Sequence, residues 1–160
     1  MLDIPAAFAA DYAEAREKFL QVARLRLLHV DEHLHPTARG ANGEALAMDV
    51  AMLGDSRAPT MLLLTSAMHG IEGFCGSGCQ VALLRDDMVH TTLADSGVAV
   101  VLCHAVNPYG FSHLRRVNED NVDVNCNFRD FSQPIAPNDG YASVHAIVVP
   151  EDWPPTASRS

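Results

Sequence analysis

Two clusters of polar residues in this 160-residue chain carry groups suited to metal binding and amide chemistry. The first is His69-Gly70-Ile71-Glu72, in which an imidazole and a carboxylate three positions apart around a tight turn can converge on one cation. Gly70 and Gly73 flank the pair and favour such a turn. The same residues also suit a solvated loop or a helix start, so the HxxE spacing alone leaves both readings open. The second cluster runs through Asn107-Pro108-Tyr109-Gly110-Phe111, Arg115-Arg116, Asn118 to Asp123, and Val124-Asn125-Cys126-Asn127-Phe128. Its Asn-Pro-Tyr-Gly opening is turn chemistry. One arginine of the cluster can steady an oxyanion, and Asn125 can bind a substrate carboxylate or amide. Surface ion pairs among Arg115, Arg116, Glu119 and Asp120 are the alternative use of the same charges.

Both clusters follow apolar runs that read as strands. Thr60 to Ser66 is continuously apolar between its polar ends, as expected of a central strand covered on both faces, and Val98 to Val106 repeats the pattern. Phe74 to Leu84 lies between them at helical spacing, so strand, helix and strand predict a parallel crossover unit. Gly76 and Gly78 lower helix propensity there and predict close packing against the sheet. In α/β sheets ligands collect at the carboxyl ends of strands, where both polar clusters fall.

Upstream, Asp3 and Pro5 can open a helix carrying Phe8, Tyr12, Phe19, Val22 and Ala23 on one face through about residue 28. Leu27 to His33 and Leu46 to Leu53 read as an antiparallel strand pair, with Pro36, Gly40 and Asn42-Gly43 supplying the turn. The fold class is therefore α/β, with a mixed, mainly parallel sheet flanked by helices. Residues 1–131 form the domain. A tail over 132–160 is loop-rich, holding five of the nine prolines (Pro134, Pro137, Pro150, Pro154 and Pro155) and a short apolar patch from Val144 to Val149.

Composition narrows the partners. Eleven basic against 20 acidic residues give a formal charge of −9, which opposes a polyanion and leaves no basic stripe for nucleic acid. The longest apolar runs fall short of the roughly 20 residues of a membrane-spanning helix. The acidic Met1-Leu2-Asp3 start lacks the positive charge of a secretory signal, so a cytoplasmic protein is expected. Cys75, Cys79, Cys103 and Cys126 show no CxxC pairing, which fits reduced thiols. A small-molecule or peptide substrate is the remaining class, with the oligomeric state open.

Taken together, His69-Gly70-Ile71-Glu72-Gly73-Phe74 and the Asn107-Pro108-Tyr109-Gly110 to Asn125 segment resemble the zinc carboxypeptidase superfamily, whose members place HxxE after one strand and NPxG…R…DxNRNF after the next. The likeness is nearest to a bacterial carboxypeptidase-like branch of unknown function. It extends from Asp11-Tyr12-Ala13-Glu14-Ala15-Arg16 to Asp152-Trp153-Pro154-Pro155. It implies a hydrolase of C-terminal peptide or related amide bonds that uses one zinc ion, with His69 and Glu72 as ligands. It also implies Arg116, ahead of Arg115, as the oxyanion stabiliser, with Asn125 and Arg115 toward the substrate.

Two features depart from that pattern. Cys126 stands where the family carries an arginine for the terminal carboxylate, with Arg129 the nearest replacement cation. The family's third ligand, a histidine, and its general-base glutamate come from further downstream, and nothing here matches them. The chain therefore reads as the N-terminal half of such a hydrolase, inactive by itself and weak in zinc binding. The alternatives are a peptide- or partner-binding module with a degenerate metal site, or an enzyme completed by a second polypeptide. His145, the one histidine after the second cluster, sits in an apolar stretch that reads as a packing helix. His104 reads as a satisfied core histidine, and His29, His33, His35, His90 and His113 as surface or turn residues. Cys75 and Cys79, four apart, read as buried thiols packing a helix to the sheet, and Trp153 as an apolar anchor for the tail.

Overall fold

A computed structural model describes residues 3–94, 96–126, 128, 130–134 and 138–149. They divide into two units, 1–127 and 128–160. The first holds a four-stranded mixed sheet in the order β1-β2-β4-β3, built from β1 (Val30–Arg39), β2 (Ala45–Leu53), β3 (Thr60–Thr65) and β4 (Val98–His104). Its helices are α1 (Tyr12–Leu25), α2 (Gly73–Arg85), α3 (Asp87–Ala94) and α4 (Pro108–Ser112). The second unit contains α5 (Asp139–Val148), whose apolar Tyr141, Val144, Ile147 and Val148 are exposed. Arg129, Trp153 and the segment from Pro150 onward lie outside the described residues.

The expected crossover is present. β3 and β4 run parallel with Leu62 beside Val100 and Leu64 beside Leu102, and α2 joins them. The parallel part of the sheet stops there, because β2 pairs antiparallel with both β1 and β4. The hairpin between β1 and β2 turns at Asn42-Gly43, where Gly43 takes φ +82° and its N–H bonds to the Gly40 carbonyl at 2.9 Å. In this left-handed region a side chain would be strained.

Several boundaries differ from the sequence pattern. Asp3 and Pro5 begin only a 3-10 turn, Pro5–Ala7, and α1 starts later, where Asp11 caps it by accepting from the Glu14 N–H at 2.8 Å. β1 runs to Arg39 instead of stopping at His33, and it carries Pro36 within it. The register breaks between Leu34 and Arg39, and an edge strand with such an irregularity accommodates a residue that has no N–H to give the ladder.

The largest difference concerns β3, which is an edge strand and not a central one. Met61, Leu62 and Leu63 are 61%, 48% and 58% exposed. An apolar run reports that a strand suits burial on both faces; it does not report which neighbours provide that burial. Cys75 and Cys79 are likewise exposed instead of buried, since α2 turns Ser77, Gly78, Val81 and Leu84 inward. Gly78 permits a close approach, because a Cβ there would lie 2.5 Å from the Phe8 ring.

The main core joins Phe19 and Val22 of α1, Val81 and Leu84 of α2, Ala51 and Leu53 of β2, and Val100 and Leu102 of β4. Polar groups are built into this region. Asp49 is fully buried and held by a two-pronged contact from Arg16, Nε to Oδ2 at 2.8 Å and Nη2 to Oδ1 at 2.9 Å. Breaking such a pair from one side leaves a buried charge, at a cost of about 3–5 kcal/mol. The Tyr12 hydroxyl accepts from the Ala47 N–H at 2.8 Å and donates to the Ala47 carbonyl at 3.1 Å, and burial pushes its pKa up to about 12. His104 is fully buried as expected, stacked on Phe19 with centroids 4.6 Å apart and Nε2 2.9 Å from the Ser77 hydroxyl. It is only half satisfied, because Nδ1 has no partner.

Two predictions follow from this arrangement. Burial, aided by the Arg16 charge, pushes the His104 pKa down to about 3, so the unfolded chain takes up a proton below pH 6.5 that the native core refuses. Stability is thus complete above pH 6.5 and declines as pH falls toward 3. Thermal melts should show the midpoint dropping between pH 6.5 and 5, and His104→Leu, although less stable at pH 7, should flatten that limb. An exposed apolar edge also invites strand pairing between molecules. Light scattering should therefore show self-association that grows with concentration, and Leu63→Lys should reduce it.

Candidate functional site

The ends of β3 and β4 are pinned before the chain leaves them. The Ser66 hydroxyl donates to Gln80 Oε1 at 3.0 Å and accepts from the Ala105 N–H at 3.2 Å, and the Gln80 amide donates to the carbonyls of Leu64 and Cys103. Immediately beyond, Ala67 and Ala105 adopt φ +54° and +58°, a left-handed conformation uncommon for residues with a side chain. Paired strain of this kind collects at functional sites, where the surrounding bonds over-determine the backbone. Here it turns both chains off the sheet at the same level.

The two departing loops are then clasped together. The Gly70 N–H donates to the Arg115 carbonyl at 3.0 Å, and the Arg115 N–H donates to the Gly110 carbonyl at 2.8 Å. Asn107 caps α4 by accepting from the Gly110 N–H at 2.9 Å, while its side-chain amide reaches the Met68 carbonyl at 3.5 Å. No side chain fits inside the clasp: a Cβ on Gly70 would stand 1.9 Å from the Gly110 carbonyl oxygen. Phe111 fills the space beneath, meeting Phe74 and Tyr12 edge-on at 4.9 and 5.6 Å.

The clasp brings the sequence-predicted residues into one group. His69 Nδ1 lies 3.3 Å from Glu72 Oε2, so the imidazole and carboxylate are in direct contact. On the opposite edge of the ring, Nε2 lies 3.1 Å from Asp123 Oδ1. Arg116 donates from Nε to Asp123 Oδ2 at 2.8 Å and stands 3.8 Å from Glu72 Oε1. His69 and Asp123 are mostly shielded, whereas Glu72 and Arg116 open to solvent. The Asp123 carboxylate also accepts the Cys126 and Asn125 N–H groups, each at 3.0 Å. The Cys126 N–H, then Arg116 and His69, hold its pKa well below the usual carboxylate range.

Not all of the expected residues join. Arg115 donates instead to Asn121 Oδ1 at 2.9 Å, and Asn125 sits in an exposed turn. The alternative use of these charges, surface ion pairs among Arg115, Arg116, Glu119 and Asp120, is not seen: Arg116 pairs with Asp123, and Glu119 with His35. His145 lies on α5 with Nδ1 3.0 Å from the Tyr141 hydroxyl.

Asp123 is the member of this group that pattern reading did not single out. It stood at the end of an acidic stretch, and only its position two before Asn125 marked it out. His69 thus has a carboxylate oxygen at each ring nitrogen, Glu72 near Nδ1 and Asp123 on Nε2, and a carboxylate on one ring nitrogen is the support that orients a metal-ligating histidine. These residues fit two ligand positions of a zinc site and their support. Among the described residues no group of three histidine, cysteine or carboxylate side chains could hold a metal ion.

A mixed sheet flanked by helices, with two loops leaving the same end of its parallel pair, is a carboxypeptidase-like fold. Among solved structures the chain is similar to a metallo-carboxypeptidase from Burkholderia cenocepacia, at 19% identity and a TM-score of 0.51, covering 84% of this chain and 38% of that one. It also aligns with the carboxypeptidase A from Helicoverpa armigera, at 13% identity, TM-score 0.45, and 68% and 28% of the two chains. A third alignment, with the Porphyromonas gingivalis glutaminyl cyclase, has 16% identity, TM-score 0.38, and coverage of 65% and 48%. The chain thus spans well under two thirds of the length of these proteins. A search of curated protein sequences found no match. The chain belongs to the family described as "protein of unknown function (DUF2817)", which matches residues 8–160. No helix among the described residues is long and apolar enough to cross a membrane.

The clasp yields a direct prediction. Gly70→Ala should destabilise the fold by about 1–3 kcal/mol, the usual cost of overpacking, because the backbone atoms it meets cannot rotate away. Urea unfolding with a common m-value checks this, and the neighbouring exposed Ile71→Ala should change little.

Proposed function

We propose that this chain carries half of a zinc-dependent hydrolase site of the metallocarboxypeptidase type, acting on peptide or related amide bonds. The observation that carries this reading is the convergence of His69 Nδ1 and Glu72 Oε2 with Asp123 on Nε2. When bound at such a site, zinc supplies an activated water and polarises the scissile carbonyl.

The chain's own residues have separable tasks. His69 and Glu72 donate the first two ligands. Asp123 holds the His69 hydrogen on Nε2 and keeps the ring oriented. Arg116, anchored through Nε, offers its remaining guanidinium hydrogens to charge developing on a carbonyl oxygen near Glu72. Asn125, in the exposed turn after Asp123, is the group placed to meet a substrate amide or carboxylate, whereas Arg115 is held by Asn121. Cys126 supplies no positive charge, which favours substrates held by groups other than a paired arginine and carboxylate. The same substitution favours a second reading, a peptide-binding module that retains the metal pair without turnover. We further propose that residues 132–160 continue the domain toward the remainder of the fold and that the protein works in the cytoplasm.

Competition with a chromophoric chelator tests the reading. Zinc should bind weakly, His69→Ala and Glu72→Gln should abolish binding, and Asp123→Asn should weaken it by about 10–100-fold. Equal zinc affinity in all four proteins would sink the proposal. Amide hydrolysis by this chain that depends on zinc and His69 would exclude the binding module.

A further inference from the structure

We infer that His35 and Glu119 are positioning residues for the His69 site, forming a tether by which strand β1 holds the loop that carries Arg116 and Asp123. Their effect on zinc rests on the proposed function; their effect on the loop does not.

The tether begins in the irregular part of β1. His35 Nδ1 accepts the Ala38 N–H at 3.0 Å and the Thr37 N–H at 3.4 Å, so the neutral ring carries its hydrogen on Nε2. That hydrogen is directed at Glu119 Oε1, 2.8 Å away. The two side chains are only 14% and 32% exposed, which limits competition from water. A loop residue and a strand histidine separated by 84 positions are thereby joined through a ring whose direction the backbone has already set.

Glu119 transmits this constraint because its loop is internally rigid. Asn118 Oδ1 accepts the N–H groups of Asp120 and Val122, and the Asn118 N–H donates to the Val122 carbonyl. Asn121 takes φ +60°, and its side chain accepts from Arg115. Residues 115–123 therefore move as one piece, fixed at one end by the Gly70 clasp and at its tip by His35. Asp123, at the far end of that piece, must stay within hydrogen-bond reach of His69 Nε2.

The same hairpin supports the start of this segment. Ser112 accepts the Ala41 N–H at 2.9 Å and donates to Glu44, and His113 Nε2 lies 3.0 Å from the Arg39 carbonyl. The end of β1 is thus a cradle for the segment that supports His69, although it contributes no atom to the site.

Long-range proton–nitrogen NMR of the His69 ring in metal-free protein tests the tether, together with amide exchange at Asn125 and Cys126. The expected result for His35→Ala and Glu119→Ala is a shift of the Nε2 resonance as the Asp123 contact loosens, and exchange about tenfold faster at the two amides. Glu119→Gln, which keeps an acceptor oxygen for the His35 hydrogen, should restore both. If His35→Ala fails to fold, Glu119→Ala at the loop tip carries the test. A wild-type Nε2 resonance and amide exchange rate in a folded Glu119→Ala variant would overturn the inference, and so would failure of Glu119→Gln to return both to wild type. Zinc affinity separates the two proposals. If the wild-type chain binds no zinc but the spectra respond as expected, the tether stands and the metal reading fails. If zinc binds, the alanine variants should weaken it about tenfold.

Discussion

The bond from the Gly70 N–H to the Arg115 carbonyl is the constraint on which the site depends. His69 and Glu72 belong to one loop, and Arg116 and Asp123 to another; each loop leaves a different strand. Parallel strands deliver both loops to the same end of the sheet, but parallel pairing alone sets their level and not their distance. The clasp sets the distance. It needs a residue with no side chain at position 70, and Gly110 beside it is similarly crowded, with a Cβ there only 2.5 Å from the Asn107 amide. Upstream, left-handed turns at Ala67 and Ala105 and the buried Ser66–Gln80 contact hold the strand ends against the strain.

Electrostatics explain the arrangement around His69. Its ring has a carboxylate on each edge, Glu72 toward solvent and Asp123 inward, with Arg116 close to both. Asp123 is stabilised as an anion by two backbone N–H groups and a guanidinium, so it remains an acceptor over a wide pH range. The Nδ1 edge of this ring faces the open side, where Glu72 adds negative charge. Such a position attracts a cation and repels an oxyanion unless Arg116 intervenes. Cys126 supports Asp123 through its N–H, a role that belongs to the backbone and not to the side chain.

The sheet shows how polar and apolar demands are divided. One face buries Phe19, Val81, Leu84 and Leu102 together with the Arg16–Asp49 pair and His104. At the β3 edge, Met61, Leu62 and Leu63 remain exposed, with a strand's free backbone groups beside them. The edge at β1 is managed differently: it carries Pro36, charged Asp31 and Glu32, and a break in register, features that discourage further pairing. The two edges of one sheet thus have opposite chemistry, a polar closed side that supports the site loops and an apolar side suited to a neighbour.

Local order in the sequence determined much of this protein. The apolar runs of β3 and β4, the helical spacing of α2 and the Asn42-Gly43 turn act over a few residues, so their signals are complete within short windows. His69 and Glu72 were legible for the same reason, being three apart in one loop. Tertiary structure alone decided what depends on contacts distant in sequence: the edge position of β3, the exposure of Cys75 and Cys79, the burial of Asp49 by Arg16, and the meeting of Asp123 with His69 across 54 positions. Residue type states what a side chain can bond to. Which partner it finds is settled by how strand order, left-handed turns and a glycine clasp bring separated loops together.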